Sequence, residues 1–377
     1  MAFTLTKEQE AFRSELRKFA EEQLRPRAKE FVEGSEKFPP ELLKVLKQKE
    51  LFKYFFPKEY GGVGVSSVNI CLIREELSRV NTTAESVPVM NGLGANPIVL
   101  FGTDEQKRKY IPSLSKAESF ASFCLTEPAA GSDVASLEAT ARLEGDNYIL
   151  NGVKTYVSHP DLCNLFIVFA KTAPELKSKG ISGFIVEKKF GGITFEKMRF
   201  IAARPVGKII LENCKVPKEN LLGPLNSGMR VALSNLNVYR TTVGAHAIGM
   251  AQGAYEEALA YAKERKAFGR NLAEFQAIQF KLADMATLLE ASRLMVYRAA
   301  SLRDEGAEVI KEASMAKLFA TESAQKIVDE AVQIFGGRGI WEDSRVAFLY
   351  KAVRLPRVYE GTSEIQRVVI ARQLLGK

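Results

Sequence analysis

Two histidines, His159 and His246, are all that 377 residues contain, and the four cysteines, Cys71, Cys124, Cys163 and Cys214, lie far apart. Neither a CxxC pair nor a zinc knuckle can be built from near neighbours, and a His-based metal site or a Ser-His-Asp relay has little material. No metal site is therefore expected, the thiols should be buried and reduced, and a carboxylate is favoured as any catalytic base. No apolar run approaches the length of a membrane span, and the opening residues, with Lys7, Glu8, Glu10 and Glu15, lack the basic flank and apolar centre of a leader. A cytoplasmic protein without a membrane partner is the expectation. Nor is there a run of like charge. The net +8, from 53 basic and 45 acidic residues, is spread along the chain and argues against a nucleic-acid partner. The excess reads mostly as solvated surface, with a smaller share for a phosphate-bearing ligand.

What is present is ample core material. A chain with 46% hydrophobic residues can bury two or three domains. Thr6 with Gln9 forms a capping box, after which Phe12, Leu16, Phe19 and Ala20 recur at helical spacing. Further helices are expected over Pro40 to Lys49 and Val68 to Val80, parted by the turn cluster Gly61-Gly62-Val63-Gly64. From Ser122 to about Leu222 the pattern turns to short β-prone runs: Tyr148-Ile149-Leu150, Lys154 to Ser158, Leu165 to Phe169, Gly183 to Val186 and Lys208 to Leu211. After Pro224 the helical period returns, with Phe275, Ile278, Leu282, Met285, Leu289 and Val296 as one stripe behind Asn271 and Glu274. The expected class is α+β: an α-helical domain over 1–121, a barrel-like β-domain over 122–225 and a four-helix bundle over 226–377.

Several short stretches concentrate reactive side chains, and each has two readings. In Arg357-Val358-Tyr359-Glu360-Gly361-Thr362-Ser363-Glu364-Ile365-Gln366-Arg367, the pair Ser363 and Gln366 predicts a capping box that opens a last helix through Leu375. Glu360 just before it is either a catalytic base or an exposed charge favoured by the helix dipole. Cys124-Leu125-Thr126-Glu127-Pro128-Ala129-Ala130-Gly131-Ser132-Asp133 is either a loop whose small residues let a ligand approach the backbone or a polar turn between strands. Tyr156 and Ser158 alternate onto one strand face, as ligand contacts or as an ordinary cross-strand set. Arg265-Lys266-Ala267-Phe268-Gly269-Arg270 with Phe275-Gln276 offers an arginine fork suited to pyrophosphate, or simply a basic helix end. Gln333 beside Gly336, Gly337 and Gly339 reads as a tight turn between helices.

Taken in order, these domains and motifs resemble the acyl-CoA dehydrogenase flavoprotein family over nearly the whole chain. The resemblance implies an FAD-dependent oxidoreductase of fatty acid metabolism and β-oxidation that converts an acyl-CoA thioester to a trans-2-enoyl-CoA. Glu360 would remove the α-proton while flavin N5 takes the β-hydride, with the Glu360 N–H and a ribityl hydroxyl serving the thioester oxygen. By the same resemblance, Cys124, Leu125, Thr126, Gly131, Ser132, Tyr156, Ser158, Thr362 and Glu364 contact FAD. Ser132, Tyr239, Arg240, Tyr359 and Gly361 face the acyl-CoA. Arg265, Phe268, Gln276, Gln333, Gly336 and Gly337 reach the FAD of a neighbouring subunit, so a homo-oligomer, usually a tetramer, is implied. An electron-transfer flavoprotein is the implied acceptor. An acyl-CoA oxidase, whose chains are often longer, and a non-catalytic flavoprotein of the same fold are the alternatives. Tyr156-Val157-Ser158 stands where the family usually has Trp-Ile-Thr, Tyr239 occupies a position where some members carry their catalytic Glu, and Arg199 to Gly207 departs from the family pattern.

Overall fold

A computed structural model of the chain describes residues 4–28, 38–202 and 205–376, so Ala203 and Arg204 of the departing stretch lie outside the described residues. In chain order the helical first third comprises α1 (Lys7–Phe19), α2 (Pro40–Gln48), α3 (Ser67–Ser78), α4 (Thr82–Phe101) and α5 (Asp104–Ser115). Strands follow: β1 (Ala121–Cys124), β2 (Thr140–Glu144), β3 (Asn147–Ser158), β4 (Leu165–Lys171), β5 (Ile181–Glu187), β6 (Ile193–Met198), β7 (Val206–Pro217) and β8 (Leu221–Leu222). The last third is α6 (Gly228–Glu264), the short hairpin β9 (Lys266–Ala267) and β10 (Arg270–Asn271), then α7 (Gln276–Asp304), α8 (Ile310–Phe335), α9 (Arg345–Val353) and α10 (Ser363–Leu375). The expected succession of helical, β and helical segments is present.

The chain packs as two compact units: one of 1–29, 67–85 and 237–377, the other of 30–66 and 86–236. The second unit is built on a sheet ordered β6-β7-β3-β2-β4-β5-β8, with β1 added in parallel to β4. The two runs expected at 148–150 and 154–158 are one strand, β3, whose pairing with β7 slips at Gly152 and again between Lys154 and Val157. The second slip is a bulge with Tyr156 at φ +59°. It buries both Lys154 and Thr155 while leaving Tyr156 55% exposed. Above this sheet, Gly94 of α4 touches β1 so closely that a Cβ would lie 2.4 Å from the Ala121 carbonyl oxygen. Only glycine allows that approach.

In the first unit, α3 is buried nearly all round although it carries Arg74, Glu75 and Glu76. Every one of these charges is paired, as burial demands. Arg74 Nε donates to Glu85 at 2.6 Å, Arg293 Nε and the Tyr297 hydroxyl each donate to Glu75 at 2.8 Å, and Arg17 Nε donates to Glu76 at 3.0 Å. Asp304, at the end of α7, accepts from the Ser67 and Val68 N–H groups at 2.6 and 3.1 Å and so caps α3. Helix α6 lies against α3 almost backbone to backbone: a Cβ on Gly249 would come within 2.3 Å of the Glu75 carbonyl oxygen.

The Thr6 and Gln9 box is formed as expected, at 2.9 and 3.2 Å. At the other end of the chain the expectation is corrected. Helix α10 does begin at Ser363, but Thr362 is its N-cap, accepting from the Ile365 N–H at 3.3 Å. Ser363 instead donates to Glu322 at 2.6 Å, and Gln366 turns back to the preceding loop. Helix α7 begins at Gln276 with Phe275 as its N-cap, because a separate turn, Leu272–Glu274, intervenes after Asn271. All four cysteines are free and buried, as their spacing suggested.

Candidate active site

Glu360 occupies a loop that folding alone would not choose. Its φ is +53° and that of Gly361 is +90°, and a left-handed conformation at a residue with a Cβ costs about 1–2 kcal/mol. The loop is held by its carbonyls. Lys317 Nζ on α8 donates to the Gly361 oxygen at 2.6 Å, and Gln366 Nε2 donates to the same oxygen at 2.8 Å and to the Glu360 oxygen at 3.3 Å. Arg357 Nε and Ser363 both bind Glu322, at 3.0 and 2.6 Å, which fastens the loop on either side to α8. Gly361 itself is required, since a Cβ there would lie 2.7 Å from Gln366 Nε2 at a φ that other residues resist.

The Glu360 residue is half-buried, but its Oε2 is shut off from solvent and has no hydrogen-bond partner. The exposed helix-end charge is therefore not what the fold contains. Burial pushes the Glu360 carboxyl above the ordinary carboxylate value, while Arg74, Lys317 and Arg240, in that order, pull it back. Lys317 is fully buried, and burial brings it down to about 8 against the pull of Glu360. Arg240 is 5% exposed, donates to Asn237 at 2.7 Å and keeps its Nε unpartnered. Tyr239 beside it is 2% exposed, and burial pushes its phenol upward. So Glu360, Tyr239 and Arg240, proposed from sequence as catalytic and substrate residues, share one electrostatic environment, with Tyr359, Gly361, Thr362 and Glu364 on the same loop and helix start.

In the second unit, the loop after β1 is tied to β3: the Thr155 N–H donates to the Thr126 oxygen at 2.8 Å. Beneath it Lys154 Nζ, fully buried, binds Glu127 Oε1 at 2.6 Å and the Leu125 oxygen at 3.3 Å. Cys124 and Leu125 point into the core, so they offer only backbone, whereas Thr126 is half-exposed and Ser132 exposed. A side chain at Gly131 would meet nothing within 4 Å. The Tyr156 ring is outward, edge to face with Phe200 at 5.9 Å, and Ser158 is half-buried.

A third group belongs to the first unit. The stretch read as a basic helix end is the β9–β10 hairpin, with Phe268 at φ +51° and Gly269 at φ +81° at its tip. Phe268 is 95% exposed, and Arg265, Gln276, Gln333, Gly336 and Gly337 are exposed too. The Tyr261 ring stacks on Phe335 at 4.2 Å with Arg338 over it, joining the end of α6 to the end of α8. Each unit by itself offers surface suited to a large ring cofactor: open space at Gly131 and the outward Tyr156 ring in the second unit, and open space at Gly336 and Gly337 with the outward Phe268 ring in the first.

Arg74, Glu85, Thr242, His246, Lys317 and Gln366 were not found from the sequence. A signal existed for Lys317, which falls in the helical stripe Ala313, Ala316, Ala320, Ala324, where a lysine has no surface to reach.

Residues 6–118, 122–214 and 226–375 match the models for the acyl-CoA dehydrogenase N-terminal, middle and C-terminal domains. A 3-(aryl)acrylate reductase of Clostridium sporogenes is 47% identical over 98% of this chain and 99% of its own length. An acyl-CoA dehydrogenase of Bacillus subtilis is 42% identical over 99% of each chain. The CarC subunit of a caffeyl-CoA reductase-Etf complex of Acetobacterium woodii is 43% identical over 96% of each. Among solved structures, butyryl-CoA dehydrogenase of Megasphaera elsdenii superposes with a TM-score of 0.94 at 33% identity over the whole of both chains. An acyl-CoA dehydrogenase complexed with FAD from Bacillus anthracis gives 0.92 at 32% identity, over 100% of this chain and 69% of that one.

Proposed function

The chain belongs to the acyl-CoA dehydrogenase family, and on that footing we propose that it is an FAD enzyme interconverting an acyl-CoA and its trans-2-enoyl-CoA, with Glu360 as the base. The observation that carries this is the Glu360 carboxylate itself: shielded, with an unpartnered Oε2, on a strained loop clamped by Lys317 and Gln366. Desolvation raises the carboxyl toward the pKa of an effective base, and the flanking cations oppose that rise. FAD, when bound, supplies the acceptor for the β-hydride. The protein's part is to exclude water, hold Oε2 toward the α-carbon and place the thioester. Arg240 offers its free Nε to the substrate's polar atoms, and Tyr239 limits the space for the acyl group.

Thr126, Gly131, Ser132, Tyr156, Ser158, Thr362 and Glu364, with the backbone of Cys124 and Leu125, are the proposed flavin contacts. The exposed set Arg265, Phe268, Gln276, Gln333, Gly336 and Gly337 would serve the flavin of a second copy. Exposure of Phe268 at 95%, Ile340 at 77% and Trp341 at 60% supports a homo-oligomer. The three-domain division at 121 and 225 is proposed from the spans of the matched domain models, 6–118, 122–214 and 226–375. Electron exchange with an electron-transfer flavoprotein is supported by the Etf-complexed relative.

Two relatives named as reductases favour a second reading of the same site, in which an enoyl thioester is reduced and Glu360 returns the proton. Anaerobic titration separates the directions. Saturated acyl-CoAs should bleach the oxidised flavin, and enoyl-CoAs, including caffeyl-CoA, should restore the reduced one; the faster process marks the working direction. Rapid reoxidation by oxygen instead would mark an oxidase. Glu360→Gln should keep flavin and ligand binding yet slow flavin reduction by roughly 100-fold or more. A near-wild-type rate would end the assignment of Glu360 as base.

A further inference from the structure

In the second unit an ion pair lies beneath the loop that carries several of the proposed flavin contacts. Lys154 of β3 has no exposure and Glu127 has 4%. The Lys154 ammonium donates to Glu127 Oε1 at 2.6 Å and to the Leu125 oxygen at 3.3 Å. The same carboxylate accepts from the Ala139 N–H at 3.0 Å and from the Glu138 N–H, just ahead of β2. One carboxylate thus joins the loop after β1, the approach to β2 and the middle of β3. The Glu127 N–H also donates to the Ala130 oxygen at 3.0 Å and the Ala130 N–H returns to the Glu127 oxygen at 3.2 Å, closing a turn that leads straight into Gly131 and Ser132.

In a regular strand, residues 154 and 156 would point to the same face. Here the pairing with β7 slips between Lys154 and Val157, so Lys154 turns in toward the loop while Tyr156, at φ +59°, turns out to 55% exposure. A tyrosine in the left-handed region persists only where its surroundings impose it. The N–H between the two, that of Thr155, goes to the Thr126 oxygen at 2.8 Å. The bulge is thus held from the loop side, by the Thr155 N–H and the Lys154 ammonium.

An ion pair out of water is costly, and two apolar residues of the same volume would often serve stability as well. They could fill the space. They could not bind the Leu125 oxygen from β3, nor the two N–H groups ahead of β2. We infer that Lys154 and Glu127 are positioning residues that hold the β3 bulge against the loop after β1, and so set the Tyr156 ring and Thr126 in the arrangement that receives a flavin. The inference rests on the proposed flavin contacts at Thr126 and Tyr156. It assigns to the pair a role in cofactor binding that its contribution to folding does not explain.

The test uses the full-length chain with Lys154→Met and Glu127→Gln combined, which leaves neither half of the pair charged, beside Tyr156→Ala and the triple variant, with FAD as the ligand. The Kd for FAD should rise about tenfold or more in the combined variant and in Tyr156→Ala. In the triple variant the rise should fall well short of the product of those two losses, because the pair then has no ring to position. Fluorescence of the bound flavin, which a tyrosine in contact quenches, should increase in the combined variant as it does in Tyr156→Ala. Amide exchange at Thr155 should quicken by about tenfold or more once the pair is gone. Should the combined variant not fold, Glu127→Gln alone keeps the lysine and an acceptor oxygen, and should move the same readouts in the same direction by less. Independent, multiplying losses in the triple variant, or unchanged exchange at Thr155, would overturn the positioning role alone. Unchanged FAD affinity and flavin fluorescence in Tyr156→Ala would remove the flavin contact itself, and the inference with it.

Discussion

Lys317→Met separates what the buried lysine does for stability from what it does for the site. The side chain has no exposure, and burial lowers its pKa from 10.5 to about 8. At about 1.4 kcal/mol for each tenfold change, keeping this ammonium protonated inside the fold costs about 3 kcal/mol at neutral pH. Methionine removes that cost at similar volume. It also removes a charged hydrogen bond to the Gly361 oxygen, worth about 1.5–3 kcal/mol, but Gln366 Nε2 still satisfies that oxygen at 2.8 Å. The two effects nearly cancel, so the melting temperature at pH 7 should move by no more than a few degrees. The pH dependence is the sharper test. Because the folded pKa lies below the unfolded one, the unfolded chain binds more protons between about pH 8 and 10.5, and Lys317 makes the folded state relatively more stable as pH rises through that window. Melting temperatures of the unmodified protein and of Lys317→Met, both with FAD saturating, should therefore diverge as pH goes from 7 to 10, to the methionine variant's disadvantage. Flavin reduction should meanwhile fall at least about tenfold, because the Glu360 loop has lost one of two clamps and the base one of its cations. A variant whose melting curve stays parallel to the original across this range, or which loses more than about 3 kcal/mol at pH 7, would refute the account of Lys317 as a costly, functional charge.

Arg265→Ala alters only an exposed side chain, so the melting temperature of the apoprotein should hardly change while retained flavin, read from its visible absorbance after gel filtration, should fall. Lys154→Met leaves Glu127 with its Ala139 and Glu138 N–H donors but no cation, and should cost about 3–5 kcal/mol in thermal unfolding; adding Glu127→Gln should recover most of it. With buried Tyr239 limiting the acyl site as proposed, short, medium or branched acyl groups should be preferred in kcat/KM, and Tyr239→Ala should improve the relative rate with palmitoyl-CoA. A preference of the unmodified enzyme for palmitoyl-CoA would contradict this.

Periodicity revealed the elements with one wet face. The first helix announced itself through Thr6 and Gln9, and the β-segment through short runs parted by turn residues, because in both cases solvent enforces a pattern. Helix α3 was expected over Val68 to Val80 and is present although buried nearly all round, whereas α4 obeys no such rule: it is buried on nearly every side and carries Pro88 and Pro97 within it, so neither amphipathic spacing nor propensity describes it. The bulge at Tyr156 was invisible for a related reason: the register of β3 is decided by β7, some fifty residues later. The loop of Glu360 was legible as a motif, but not its clamp. Ser363 and Gln366 have the right spacing for a capping box, yet Gln366 meets the carbonyls of Glu360 and Gly361, which a left-handed turn has aimed at it.

The site residues that escaped the sequence share one property: they are charged or polar side chains drawn into the core by partners on other helices. Arg74 needs Glu85 and Thr242, and Lys317 needs Gly361 and Glu360. Each would be expelled from an apolar interior if left alone, so each is explained only when the whole group is in view. The same grouping bears on Glu360, the proposed base. A carboxylate on an open helix end would keep its ordinary pKa and its water, whereas one buried without cations would take up a proton and cease to be a base. At Glu360 a strained loop carries the carboxylate out of solvent, and Arg74, Lys317 and Arg240, from three different helices, oppose the rise in pKa that burial causes. With Glu360 as the proposed base, the site would draw on residues spread from 74 to 360 in the chain, brought together by the packing of these helices.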